Sequence, residues 1–137
     1  MCLRWSAPWM SGPTPHQAPG SCWGLWEYSV IELFLASEEG PYVELEFGPA
    51  GHWLGIAFEQ YRSPLRLLAD VDYRWWRSGE RWYGRARVDV GMSHHWRRGN
   101  AFMIQRHGGE RTYAAAHNAL EGETKPDFHR SDGYLQW

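Results

Sequence analysis

Only two cysteines, Cys2 and Cys22, occur among the 137 residues. Two are too few for a disulfide framework, and neither lies in the paired spacing of a zinc or redox motif. A single bridge between them is neither required nor excluded. No apolar run approaches the roughly 20 residues needed to span a bilayer, so no membrane partner is expected. The opening residues, MCLRWSAPWMSGP, lack the continuous apolar stretch of a secretory leader, and a reduced, cytoplasmic setting is the expectation. An excess of one charge is missing as well. Lys and Arg number 14 against 16 Asp and Glu, a formal −2, which argues against binding driven by phosphate neutralisation. Arginines cluster between Arg62 and Arg111, but Asp70, Asp72, Glu80 and Asp89 are interleaved with them; no nucleic-acid partner is expected.

Signatures of catalysis are also scarce. There is no Gly-x-Ser-x-Gly elbow, and neither cysteine sits among histidines. His94, His95, His107, His117 and His129 show no His-Glu-x-x-His or His/Cys ligand spacing. Adjacent histidines on a strand face opposite ways, so His94 and His95 do not ligate together. The reading therefore assigns no catalytic residue, metal or cofactor, and leans away from an enzyme. Asp127 and His129 form an acid–histidine pair, read here as a latch that ties the C-terminal segment to the body, with Pro126 stiffening it.

What the chain has in excess is tryptophan, ten in all, beside seven tyrosines and five phenylalanines. Such rings fill β-sandwich cores, and their flat faces also stack on sugars, bases and cations. Residues 1–22, with prolines at 8, 13, 15 and 19, read as an irregular arm laid over a single domain of residues 23–137 with an irregular C-terminal tail. In the segment 28–35, Tyr28, Val30, Glu32 and Phe34 share one face of a strand. In 42–47, Val43, Leu45 and Phe47 alternate with Tyr42, Glu44 and Glu46. In 52–58, His52, Leu54, Ile56 and Phe58 alternate with Trp53, Gly55 and Ala57. Residues 70–77 and 81–90 flank Ser78-Gly79-Glu80 as a hairpin, and 101–107 and 111–117 flank Gly108-Gly109. Residues 63–69 and 92–98 read as helical turns. Short strands separated by turn signals predict an all-β fold, an antiparallel β-sandwich of jelly-roll or immunoglobulin-like type.

The pattern Leu25-Trp26-Glu27-Tyr28-x-Val30-x-Glu32-x-Phe34, followed by Tyr42-x-Glu44-x-Glu46-x-x-Pro49-x-Gly51, resembles the DOMON-like, or family 9 carbohydrate-binding-module-like, β-sandwich. Ser6-Ala7-Pro8, Trp82-x-Gly84-x-Ala86, Phe102-x-Ile104, Arg111-x-Tyr113 and Lys125-Pro126-Asp127-Phe128-His129 resemble more closely an uncharacterised protein family of vertebrates and bacteria. Members of that family carry one or two strands before the equivalent of Ser6. By that comparison the chain is expected to be truncated at its N-terminus and to leave a sheet edge unpaired. The resemblance implies a sandwich and a ligand class, without an activity.

If the strands at 28–35 and 42–47 pair, Glu32 lies near Glu44 or Glu46 across the ladder. Glu44 and Glu46 by themselves read as the solvated face of a half-buried strand. Glu32, between Val30 and Phe34, must be paired or face a cleft. The expected function is non-catalytic binding of a small molecule, with a carbohydrate or sugar-like ligand leading. Trp53 or Trp76 would stack on it, while Glu32, Glu44 and His52 hydrogen-bond its hydroxyls. Trp75 is a further platform candidate. The alternatives are a carboxylate/histidine hydrolase, a haem- or metal-binding DOMON-like domain drawing on Met92, Met103 and the histidines, and a protein-interaction module. Oligomeric state is not set by the sequence.

Overall fold

The computed structural model describes residues 1–91, 96–117 and 126–136. Eleven strands are present among them: β1 Cys2–Pro8, β2 Gly20–Ser21, β3 Val30–Ala36, β4 Tyr42–Phe47, β5 His52–Gln60, β6 Ser63–Leu67, β7 Val71–Ser78, β8 Arg81–Val88, β9 Arg98–His107, β10 Glu110–Ala115 and β11 Leu135–Gln136. Single 3-10 turns occupy Leu25–Glu27 and Ser131–Gly133. Among the described residues no helix is long and apolar enough to cross a membrane.

The strands form two sheets. The smaller has the order β1-β8-β7, and the larger β10-β9-β3-β4-β5-β2, with β6 also paired to β5 and β11 to β9. Pairing is antiparallel except for the two-residue contact of β2 with β5. This is the expected sandwich-like, all-β fold. The hairpins fall where glycine permits them. Gly79 at φ 56° and Gly108 at φ 58° each open a two-residue connection, where a left-handed first residue matches the twist of the flanking strands.

Alternation along the strands of the large sheet separates two apolar layers. Leu35, Val43, Leu45, Phe47 and Ala57 face the small sheet and pack on Ala7, Trp82, Ala86 and Val88. On the opposite face, Val30, Phe34, Tyr42, Leu54, Ile56, Phe58, Phe102 and Ile104 form a second layer. That layer is roofed by Cys22 and Leu25 from one side and by Phe128 and Tyr134 from the other. β4 lies between β3 and β5, and all six of its residues are buried. Glu44 and Glu46 are therefore not a solvated face, as the alternation alone suggested. They are 6% and 0% exposed.

Two local expectations change. The proline-rich arm begins with a regular strand: its prolines start at Pro8, so Cys2–Pro8 is free to pair along β8 from Cys2↔Arg87 to Pro8↔Arg81. Residues expected as a helical turn form β6, whose Pro64 is accommodated beside a register shift in the β5 pairing, where a missing N–H is tolerated. The other expected helical turn, 92–98, lies partly outside the described residues; Arg98 begins β9. Both cysteines are free, Cys2 exposed and Cys22 buried.

Gly84 shows how tightly the small sheet is closed. It pairs with Trp5 across the ladder, and a Cβ placed on it would come within 2.1 Å of the indole. That indole also touches Phe47 at 4.5 Å and stacks on Tyr73 at 5.6 Å between centroids, so it has no free direction in which to yield. Gly84→Ala is expected to cost about 1–3 kcal/mol through overpacking, read as a lower urea midpoint. Gly109→Ala, with open space around the glycine, is expected to leave the midpoint within about 0.5 kcal/mol.

Candidate functional site

The second face of the large sheet carries more than apolar side chains. The β3–β4 register sets Glu32 directly opposite Glu46, and Phe34 opposite Glu44. Because residues i and i+2 share a face, Glu32, Glu44 and Glu46 all project into the same layer. One potential ligand atom from each lies within 4.8 Å of the other two. Exposure is 2% for Glu32, against 6% and 0% for its neighbours.

Above Glu32 and Glu44 is a pocket of about 400 Å³. Phe34, Ile56, Phe58 and Ile104 complete its floor, and Trp23, Trp26, Tyr113 and Phe128 supply aromatic walls. Trp23 and Trp26 meet edge to face, with centroids 5.0 Å apart. Trp23 is 65% exposed and stands at the mouth.

The latch read from Asp127 and His129 is present and helps to close this pocket. Phe128 stacks on Phe102 at 4.0 Å, and Tyr134 donates its hydroxyl proton to the Phe128 carbonyl at 2.6 Å. Asp127 accepts from Tyr61 and from Arg62 at 2.8 Å. The Tyr42 hydroxyl accepts the Arg62 backbone N–H at 3.0 Å and lies 2.8 Å from Nδ1 of His129. The other ring nitrogen, Nε2, lies 4.0 Å from the Glu44 carboxylate. Arg62 holds this knot with φ 54°, a left-handed conformation that a non-glycine residue adopts only when its surroundings fix it.

Electrostatics follow from burial. Removal from water raises the Glu32 and Glu46 carboxyls well above the usual range, and each is raised further by the neighbouring carboxylates. Glu44 is raised to about 7, again chiefly by burial. Burial also pushes the His129 imidazole down to about 4, helped by Arg62. The imidazole is therefore neutral at physiological pH, and its approach to Glu44 is not an ion pair. The nearby guanidinium groups are engaged elsewhere: Arg62 with Asp127, and Arg111 and Arg106 with Glu27.

Of the five binding residues expected from the sequence, Glu32 and Glu44 line the pocket. His52 lies on the same sheet face but is buried, its Nε2 3.0 Å from the Gln17 carbonyl, and it does not line the pocket. Trp53 packs into the layer between the sheets. Trp76 is 52% exposed and stacks on Tyr83 of the small sheet at 5.4 Å. Trp75 stacks on Trp9. The structure thus does not bring these tryptophans to the carboxylates. Trp26, Tyr113 and Arg111 also line the pocket; none was named as a candidate binding residue, although all three stand in the patterns that carry the family resemblances. Met92, His94, His95 and Lys125 lie outside the described residues. Among those described, no histidine joins a cluster of three potential metal ligands.

The carboxyl shifts have a sign. A carboxyl raised on folding binds its proton more tightly in the native state, so stability is fullest below the unfolded pKa and is lost as pH rises through the folded one. His129 works the other way, adding stability as pH rises from about 4 to its unfolded value near 6.5, and is silent above that. The Glu44 shift, roughly 3 kcal/mol in all, is lost mainly as pH rises from about 4.5 to 7, where the His129 gain offsets it. In chelator-containing buffer, stability is expected to keep falling from about pH 6.5 to 8.5, as the more strongly raised Glu32 and Glu46 carboxyls lose their protons. Thermal midpoints of Glu46→Gln, which removes one buried charge, should decline much less across that window. Parallel declines in both proteins would contradict the account.

Among curated proteins, the chain is similar to UPF0462 protein C4orf33 homolog of Mus musculus, with 29% identity over 133 residues, covering 91% of this chain and 69% of the mouse protein. It is also similar to UPF0462 protein C4orf33 of Homo sapiens, with 28% identity over 132 residues, 90% of this chain and 66% of the human protein. The chain thus spans about two thirds of the length of each. No family model matches, and no solved structure matches. The similarity to these two proteins, whose names state no activity, supports the vertebrate side of the resemblance read from the sequence.

Proposed function

We propose that the pocket over Glu32 and Glu44 binds a small polyhydroxylated, sugar-like molecule without transforming it. The observation that carries this reading is the pairing of aromatic walls with inward carboxylates in one cavity of about 400 Å³, a size typical of small-molecule sites. An indole face packs against the C–H face of a pyranose, while carboxyl and guanidinium groups fix its hydroxyls. The stacking role passes from Trp53 and Trp76 to Trp26, with Trp23 at the mouth. The resemblance to family 9 carbohydrate-binding modules points the same way.

A second reading, a carboxylate-based hydrolase, is favoured by one observation: the Glu44 carboxyl, raised to about 7, has the proton affinity of a general acid or base. Against it, the Glu32 and Glu44 oxygens lie within 4.8 Å, closer than the roughly 5–10 Å separations of glycosidase carboxylate pairs.

Glycan arrays followed by calorimetry test the binding reading. Trp26→Ala and Glu44→Gln are each expected to weaken the best ligand by about tenfold or more, with Trp53→Ala and Trp76→Ala unchanged. No bound glycan, or undiminished binding by Trp26→Ala, would sink it. Release of product from aryl glycosides, lost in Glu44→Gln, would favour the hydrolase.

A further inference from the structure

We infer that Glu32, Glu44 and Glu46 together hold a hard divalent cation of calcium's size at the floor of the pocket. This stands whether or not a sugar occupies the space above.

The first observation is the convergence itself. Two neighbouring strands deliver three carboxylates to one point, with Glu32 opposite Glu46 in the ladder and Glu44 two residues along β4. Their ligand atoms lie within 4.8 Å of one another. Calcium binds oxygen at about 2.3–2.6 Å, so two oxygens on opposite sides of one ion stand about 4.6–5.2 Å apart. A set bounded at 4.8 Å is close enough for all three residues to reach one such ion.

The second observation concerns Glu46 alone. It is fully buried, and no hydrogen-bond donor other than the neighbouring carboxyl of Glu44 reaches its carboxyl oxygens. A buried carboxylate in that position is costly unless a positive partner reaches it. The basic groups bordering the pocket do not fill this role. Arg62 is bonded to Asp127, and Arg111 and Arg106 to Glu27. His129 lies 4.0 Å from Glu44 and is held by Tyr42, and its imidazole, pushed down to about 4, carries no charge to offer.

An all-oxygen donor set suits calcium or magnesium in preference to zinc or copper. Calcium also tolerates irregular coordination and leaves positions for water or ligand hydroxyls. Those positions would open toward the pocket, which Glu32 and Glu44 line and Glu46 does not.

The test uses the full chain stripped with chelator. Calcium chloride is titrated by calorimetry at pH 7.5 while the thermal midpoint is followed. Terbium is added separately, with excitation of tryptophan, because Trp26 borders the pocket. The expected results are one saturable site per chain, a raised midpoint, and sensitised terbium emission that calcium displaces. Glu46→Gln and Glu32→Gln should each weaken binding by at least about tenfold, whereas Glu38→Gln and Glu39→Gln, on an exposed turn, should leave it unchanged. If Glu46→Gln does not fold, Glu32→Gln carries the comparison. No heat, midpoint shift or sensitised emission with calcium would overturn the inference, as would binding equally strong in the Glu32 and Glu46 variants. Glycan binding measured in chelator separates the two proposals, since its survival would leave the sugar reading intact even if the calcium and terbium titrations disprove the cation site.

Discussion

Covering the second face of the large sheet is the constraint from which the rest of the site follows. One face of that sheet is sealed by the small sheet and its Trp82-centred layer, as in any two-layer sandwich. The other face is covered in part by Cys22, Leu25 and Trp26, and would be open over the rest if the chain ended at β10. That remainder is instead covered by residues 126–134, through the Phe128–Phe102 stack and the Tyr134 bond to the Phe128 carbonyl. The same segment is pinned at Asp127 by Tyr61 and Arg62 and at His129 by Tyr42. Three glutamates that would sit in water become buried, and their raised proton affinities are the direct consequence.

The pocket and the latch are therefore one construction. Residues that hold the C-terminal segment in place, Arg62 and His129, also line the cavity. Aromatic contacts supply most of the closure, because a stacked ring buries large apolar area in a defined orientation. The charged pairs at the margin, Arg62–Asp127 and Arg111–Glu27, are partly exposed and contribute more to positioning than to stability. They leave the arginines only a partial offset to the burial of Glu32 and Glu44, and no arginine acts on Glu46.

Much of this was legible in the chain. The alternation in 28–35 and 42–47 placed Glu32 on an apolar face, and the ladder pairing Glu32 with Glu46 was among the contacts it suggested. The turn glycines located both hairpins. What the alternation could not tell was which faces are covered. Glu44 looked solvated because His129, which covers it, arrives more than 80 residues later in the chain, and Glu46 because Cys22, which approaches it, lies in the arm before β3. A signal was nonetheless present: the glutamates share their face with Phe34, Tyr42, Leu54, Ile56 and Phe58, and such a face is too apolar to be left in water. Trp53 and Trp76 were attractive as flat rings, but parity turns Trp53 into the inter-sheet layer, and Trp76 lies on β7 of the other sheet, stacked on Tyr83. Trp26 was hidden by its place in a 3-10 turn, where neither strand nor helix periodicity assigns a direction.

The most direct measurement of the central claim is a carbon-13 NMR titration of the glutamate side-chain carboxyls in chelator, with Glu→Gln variants assigning the three signals. The account predicts that Glu44 titrates near 7 and that Glu32 and Glu46 titrate well above the ordinary carboxyl range, apart from the exposed glutamates. Ordinary titration of all three near 4.5 would show that the second face is open to water, and would contradict it.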